Sequence, residues 1–256
     1  MAENTISELK FDYLLRWGDT ALVLSQRLSE WCGKGPALEE DMALTNTALD
    51  LLGQARLWLE YAGQSEGAGR DEDALAFRRG ERAFRNLLLA ELPNGGYAGT
   101  LMRQFYFDAW HHLALQALQD STDAQVAAIA EKSAKEAAYH LRRSSDLVVR
   151  LGDGTERSHA LMQQAAERLW PYTGEMFASD AVDAAMVETG VGFDPAGLRQ
   201  PWLAYVAQVF ETASLRLPPA EAWMHDGGKR GVHTEHLGFL LAEMQYLQRA
   251  YPDAQW

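Results

Sequence analysis

KEAAYHLRRS, residues 135–144, places a carboxylate and an imidazole, Glu136 and His140, one helical turn apart inside a long apolar-periodic segment. Side chains three or four residues apart share a helix face, so both can reach the same neighbour. The stretch poses the choice that decides the fold. Either this is a helix of a metal-bearing bundle, or it belongs to a bundle that keeps only part of such a site. The answer lies in what the surrounding helices contribute.

The period around it is helical throughout. Residues 8–32 carry Phe11, Leu14, Leu15, Leu22, Leu28 and Trp31, spaced three, four or seven apart along most of the segment, and Gly33 follows as a stop signal. A second long helix is predicted over 40–62, closed by Gly63. Glu39, Glu40 and Asp41 at its start oppose the positive end of the helix dipole. DEDALAFRRGERAFRNLLLAEL reads as one or two shorter helices, and LPNGGY as a turn. Long helices are predicted over 98–119 and 122–151. LGDGTE breaks the latter, and Thr155 is a plausible N-cap. Shorter helices over 156–170, 179–190, 198–216 and 234–250 complete the chain, with prolines near their boundaries. No segment alternates with period two. The expectation is one all-α domain over residues 1–256, a four-helix core with a C-terminal helical layer at 156–250.

QFYFDAWHHLALQAL, residues 104–118, is apolar almost all round, so this helix should be buried on most sides. Either it is the centre of a two-layer bundle or part of it meets another chain.

Composition narrows the function. With 23 basic and 36 acidic side chains among 256 residues, the net charge of −13 argues against a nucleic-acid partner. Cys32 is the only cysteine, which fits a reducing compartment. MAENTISELKFDYLLR has no apolar h-region, and no uncharged apolar run approaches the ~18 residues of a membrane span. A cytoplasmic location is expected.

A di-iron carboxylate bundle takes a Glu from each of two helices and a Glu-x-x-His from each of two others. The seven histidines are His111, His112, His140, His159, His225, His233 and His236, so the first two long helices supply none. Where the second would need Glu-x-x-His it reads DLLG, Asp50 to Gly53. In the fourth helix Glu136 and His140 are four apart, with Tyr139 at the usual histidine position. One histidine half is absent. An unusual site built from Asp108, His111, His112, Glu136 and His140 is the metal-binding alternative, an independent oxidase or iron-handling protein. The plainer reading neutralises buried carboxylates with Arg27, Arg56, Arg103 or Arg143, leaving Asp50, Asp108, Glu136 and His140 as a vestigial interior.

HTEH at 233–236 lacks a third ligand, and Thr234 as a helix N-cap explains it. GGKRG at 227–231 is not a P-loop, because Lys229 is followed by Arg and the upstream Gly is missing. Lys229 and Arg230 before a helix start offer a contact for an anion or a partner, against the plainer reading of a glycine turn. No G-x-S-x-G elbow exists, and Cys32 has no histidine near it in sequence.

SEWCG (29–33), DLLGQARLWLEYA (50–62), GRDEDALAFRRGERAFRNLLLAELPNG (69–95), KEAAYHLRRSSDLVVRLGDGTERSH (135–159) and GGKRGVHTEHLGFLLAEMQYLQR (227–249) resemble the structural C subunits of bacterial ring 1,2-phenylacetyl-CoA epoxidases, over nearly the whole chain. The resemblance implies a ferritin-like fold and a part in aerobic phenylacetate degradation. It implies a separate catalytic epoxidase chain that carries the di-iron centre, and a reductase that passes electrons from NADPH through a flavin and an iron–sulfur cluster. The complex would insert one oxygen atom of O₂ into the ring of phenylacetyl-CoA. It implies no cofactor and no catalytic residue in this chain, which pairs with the catalytic chain; the sequence leaves open whether the chain alone forms a homo-oligomer.

Overall fold

The computed structural model describes residues 2–219, 221–252 and 254, with side chains from residue 6 onward. Its described elements are helices α1 (Ala2–Ser29), α2 (Leu38–Glu66), α3 (Glu72–Phe77), α4 (Leu88–Glu91), α5 (Tyr97–Leu118), α6 (Ala124–Gly152), α7 (Glu156–Leu169), α8 (Ala181–Glu188), α9 (Arg199–Thr212), α10 (Glu235–Met244) and α11 (Tyr246–Ala250), with short 3₁₀ turns between some of them. Among the described residues there is no strand, and the fold is all-α and ferritin-like. No described helix is long and apolar enough to cross a membrane.

Two compact units emerge. The first joins Met1–Pro93 to Gly227–Trp256, and the second is Asn94–Asp226. In the first, α1 and α2 form an antiparallel hairpin. Lys10 Nζ donates to the Tyr61 hydroxyl at 2.7 Å, and Trp17 meets Trp58 at a 5.7 Å centroid separation. From Tyr13 to Ser25 every residue of α1 is buried, although the sequence singled out only α5 for burial on all sides. Fully burying each of its leucines contributes about 1.5–3 kcal/mol.

The helix ends differ from the sequence reading in instructive ways. Gly63 does not close α2, which continues to Glu66 and ends on Gly67 with a left-handed φ of 70°. Gly63 is required for another reason: a Cβ there would overlap the carbonyl oxygen of Arg70 as the chain turns back. The helix expected over 234–250 is two pieces, α10 and α11, that part at Gln245. That side-chain amide donates to the carbonyls of Ala76 at 2.9 Å and Arg79 at 3.1 Å, so the chain is pinned where a regular helix would run on.

In the second unit α5 is surrounded as its composition demands. Gly99 to His111 is buried without a break, against α6, α7 and α9. Tyr106 contacts Trp170 and Trp202 at 5.8 and 5.7 Å, while Trp202 Nε1 donates to the Tyr106 carbonyl at 3.0 Å. Aromatic pairs of this kind contribute about 0.5–1.5 kcal/mol beyond their burial. Of the two explanations for the apolar helix, a central position accounts for these residues. The cap expected at Thr155 is present, as a capping box with Ser158.

Candidate functional site

The polar interior of the second unit is built on one face of α5. Gln104, Asp108 and His111 recur at spacings of four and three, so they line up along the helix. Gln104 Nε2 donates to Asp108 Oδ1 at 2.7 Å. From α6, His140, Ser144 and Arg143 face the same carboxyl. Asp108 is 1% exposed. Burial pushes its carboxyl up to about 6, because a charge there loses its water. The nearby charge of His140, the Ser144 hydroxyl, the Gln104 amide and Arg143 oppose that rise.

His111, also buried, moves the other way. Burial first, then the like charges of His140 and His112, hold it down to about 3. Its ring lies 4.7 Å from Phe107. Burial also lowers His112. Near neutrality, then, the interior holds a carboxyl that retains a proton more readily than usual and a neutral imidazole packed on an aromatic ring. This suits a packed core with polar cross-links.

The sequence-derived residues fall as follows. Asp108 and His140 are brought together. Glu136 is half-buried one turn before His140 on α6. Asp50 is half-buried on α2, in the first unit. Among the described residues no three of His, Cys, Asp and Glu converge in a way that could hold a metal ion. The donor set does not fit a di-iron centre: α1 and α2 contain no histidine, and the second helix offers Asp-Leu-Leu-Gly where a Glu-x-x-His would be needed.

The arginines expected to neutralise buried carboxylates do so unevenly. Arg143 acts on Asp108. Arg27 serves the main-chain oxygen of Glu91, Arg56 pairs with Glu72 in a largely exposed contact, and Arg103 donates to Asn94 Oδ1 at 2.6 Å. One buried ion pair among the described residues was not foreseen. In the first unit Asp19, 0% exposed, is bound by two guanidinium nitrogens of Arg79 and by the N–H of Arg85 at 2.9 Å. Glu91 was also missed. It accepts from Asn86 Nδ2 at 2.8 Å and the Thr234 N–H at 2.6 Å, and lies 2.8 Å from His233 Nδ1. Both carboxylates had a visible signal: each interrupts an apolar run, in LLRWGDTALVL (14–24) and LLLAEL (87–92), where a charge has to be partnered.

GGKRG folds as a turn around the short 3₁₀ segment Gly228–Arg230. A Cβ on Gly228 or Gly231 would overlap the carbonyl oxygen of Asn86 or Arg82, so the turn lies backbone to backbone on residues 82–88. Lys229 is 8% exposed, while Arg230 is open to solvent. Thr234 caps α10, accepting from His236 N–H at 3.3 Å.

Fold and interior together define a class: a ferritin-like helical chain whose polar core is held by side-chain pairs. Comparison with known proteins makes this particular. The chain belongs to the family of phenylacetic acid catabolic proteins, which it matches over residues 1–256. It is 54% identical over 244 residues, 95% of this chain and 98% of the relative, to the C subunit of 1,2-phenylacetyl-CoA epoxidase from Escherichia coli K12.

Proposed function

We propose that this chain is the structural, non-catalytic subunit of an oxygenase complex that epoxidises the ring of phenylacetyl-CoA in aerobic phenylacetate degradation. The observation that carries the reading is the 54% identity to an epoxidase C subunit across nearly the full length of both proteins. The chemistry of the interior supports it, because its donor set is unsuited to two irons and its buried carboxylates are matched to arginine, amide and imidazole.

In this reading the chain folds as one ferritin-like domain in the cytoplasm. It buries an apolar face of the catalytic epoxidase chain and keeps that partner's metal-bearing helices in register. The di-iron centre belongs to the catalytic chain, the flavin and iron–sulfur cluster to a reductase. Obligate interfaces of this type often bury more than ~2,000 Å². Arg230, with Lys229 beside it in sequence, is proposed as an anion or partner contact. Charge reversal at Arg230 should then weaken binding more at low salt than at high salt.

Co-expression with the catalytic chain tests the central claim. The two chains should elute as one species, and epoxidation should require both. Separate elution at micromolar concentration, or full activity of the catalytic chain alone, refutes it.

A further inference from the structure

The segment GGKRGVHTEH, residues 227–236, returns the chain to the first unit along residues 82–91. Within it one side chain is wholly enclosed. The His233 side chain is 0% exposed, as is that of its neighbour Glu91. The two ring nitrogens both face oxygen: Nδ1 lies 2.8 Å from Glu91 Oε2, and Nε2 lies 3.0 Å from the main-chain oxygen of Phe84.

A carbonyl oxygen can only accept, and this one already receives Arg85 Nη1 at 2.9 Å. Nε2 therefore carries a hydrogen. A neutral imidazole has only one N–H, so a second proton must occupy the Nδ1 contact. Without it, two lone pairs would face each other at 2.8 Å away from water. Glu91 accepts two further N–H groups, from Thr234 and Asn86. Both Glu91 oxygens are thus already in use as acceptors, Oε1 from Thr234 and Oε2 from Asn86, and the geometry places the shared proton on the ring.

We propose that residues 227–236 form a proton-locked strap. His233, as an imidazolium held by Glu91, fastens the returning chain onto residues 84–91, and loss of that one proton releases it.

The surrounding charges agree with this assignment. From α1, Arg27 donates to the main-chain oxygen of Glu91 at 3.0 and 2.7 Å, and its charge is met by Glu30 at 2.7 Å. Arg85 is paired with Asp12 at 2.5 Å, and Arg79 with Asp19. The 227–231 turn brings Lys229 and Arg230. From α10, Glu235 and His236 lie 3.9 Å from each other, and Glu81 sits against Gly238. Arg27, Arg79 and Arg85 each have a carboxylate of their own, so the Glu91 side chain is met by His233. The direction follows. The strap is fastened on the acid side of the ring's titration and loosens as pH rises through it, because the deprotonated Nδ1 then faces a carboxylate.

The test uses the full chain labelled with ¹⁵N-histidine. Near neutral pH the His233 resonances should show both ring nitrogens protonated. Amide protection across residues 232–244, corrected for intrinsic base catalysis, should then fall about tenfold per pH unit from about pH 6.5, where the released ring loses its proton, up to the titration of the enclosed ring, and level off above it. Glu91→Gln should remove this pH dependence, because a side-chain amide donates to a neutral ring. Asn86, whose Oδ1 has no hydrogen bond among the described residues, can turn to receive it. A neutral His233 ring at neutral pH in the unaltered protein overturns the proposal. So does protection that stays flat from about pH 6.5 up to the titration of the enclosed ring, and both readings stand whether or not the variant folds.

Discussion

Replacing Asp108 by Asn should stabilise this protein at neutral pH, because it removes a buried charge and keeps the contact with Gln104. Burial raises the folded-state carboxyl from 3.8 to about 6. That gap corresponds to about 3 kcal/mol. A group raised on folding lends its stability below its unfolded value and loses it as pH climbs through the folded value. Below 3.8 the carboxyl is protonated in both states and carries no desolvation penalty. Above about 6 it is ionised in both, and the folded state bears the whole cost of a dry charge, after the opposing help of His140, Ser144, Gln104 and Arg143. Asn keeps the acceptor for Gln104 Nε2, now 2.7 Å away, and puts its amide where the Ser144 hydroxyl can accept.

Urea unfolding of both proteins at pH values spanning 3.8 to above 6 measures the effect. The variant should match the parent on the acid side and exceed it by up to about 3 kcal/mol on the neutral side. His111 works in the opposite sense. Its value falls from 6.5 to about 3, so its contribution is present above 6.5 and is lost as pH drops toward 3 in both proteins. The difference between parent and variant isolates Asp108. A variant less stable than the parent at neutral pH, or a difference that does not change with pH, would show that Asp108 is a productive anion and that this account of the interior is wrong.

Three further outcomes follow from the packing. Arg79→Ala leaves the Asp19 carboxylate buried with only a main-chain donor, and should cost about 3–5 kcal/mol in chemical denaturation; pairing it with Asp19→Asn should recover much of the loss. Two glycines on α2 should respond with opposite signs. Gly63→Ala drives a methyl into the Arg70 carbonyl and should lower the melting temperature sharply, whereas Gly53→Ala, with open space around it, should gain about 0.5–1 kcal/mol. Thr155→Ala removes the capping box at α7 and should cost about 1 kcal/mol of equilibrium stability, read by the same unfolding assay.

The long helices were legible because burial on one face imposes a period, and α1, α2, α5 and α6 all lie close to where that period puts them. Their ends were less legible. Gly63 is a close-approach glycine that sequence alone cannot tell from a stop, and Gln245 breaks a helix through bonds to carbonyls some 170 residues earlier. The interior divides in the same way. A shortage can be counted: no histidine precedes His111, so no metal could tie the first two long helices together through nitrogen. A partnership cannot be counted. Asp19 in its apolar run announces that a cation must come, but not that it is Arg79, 60 residues on; Glu91 announces the same, and His233 arrives 142 residues later.

Helical period is a local property, whereas charge pairing is settled only once the elements pack. Of the residues that the sequence marks for a vestigial interior, the structure brings together Asp108 and His140, from α5 and α6. The pairs Asp19–Arg79 and Glu91–His233 lie elsewhere, in contacts that close long loops. Each buried charge that must be matched penalises every alternative packing in which it is not.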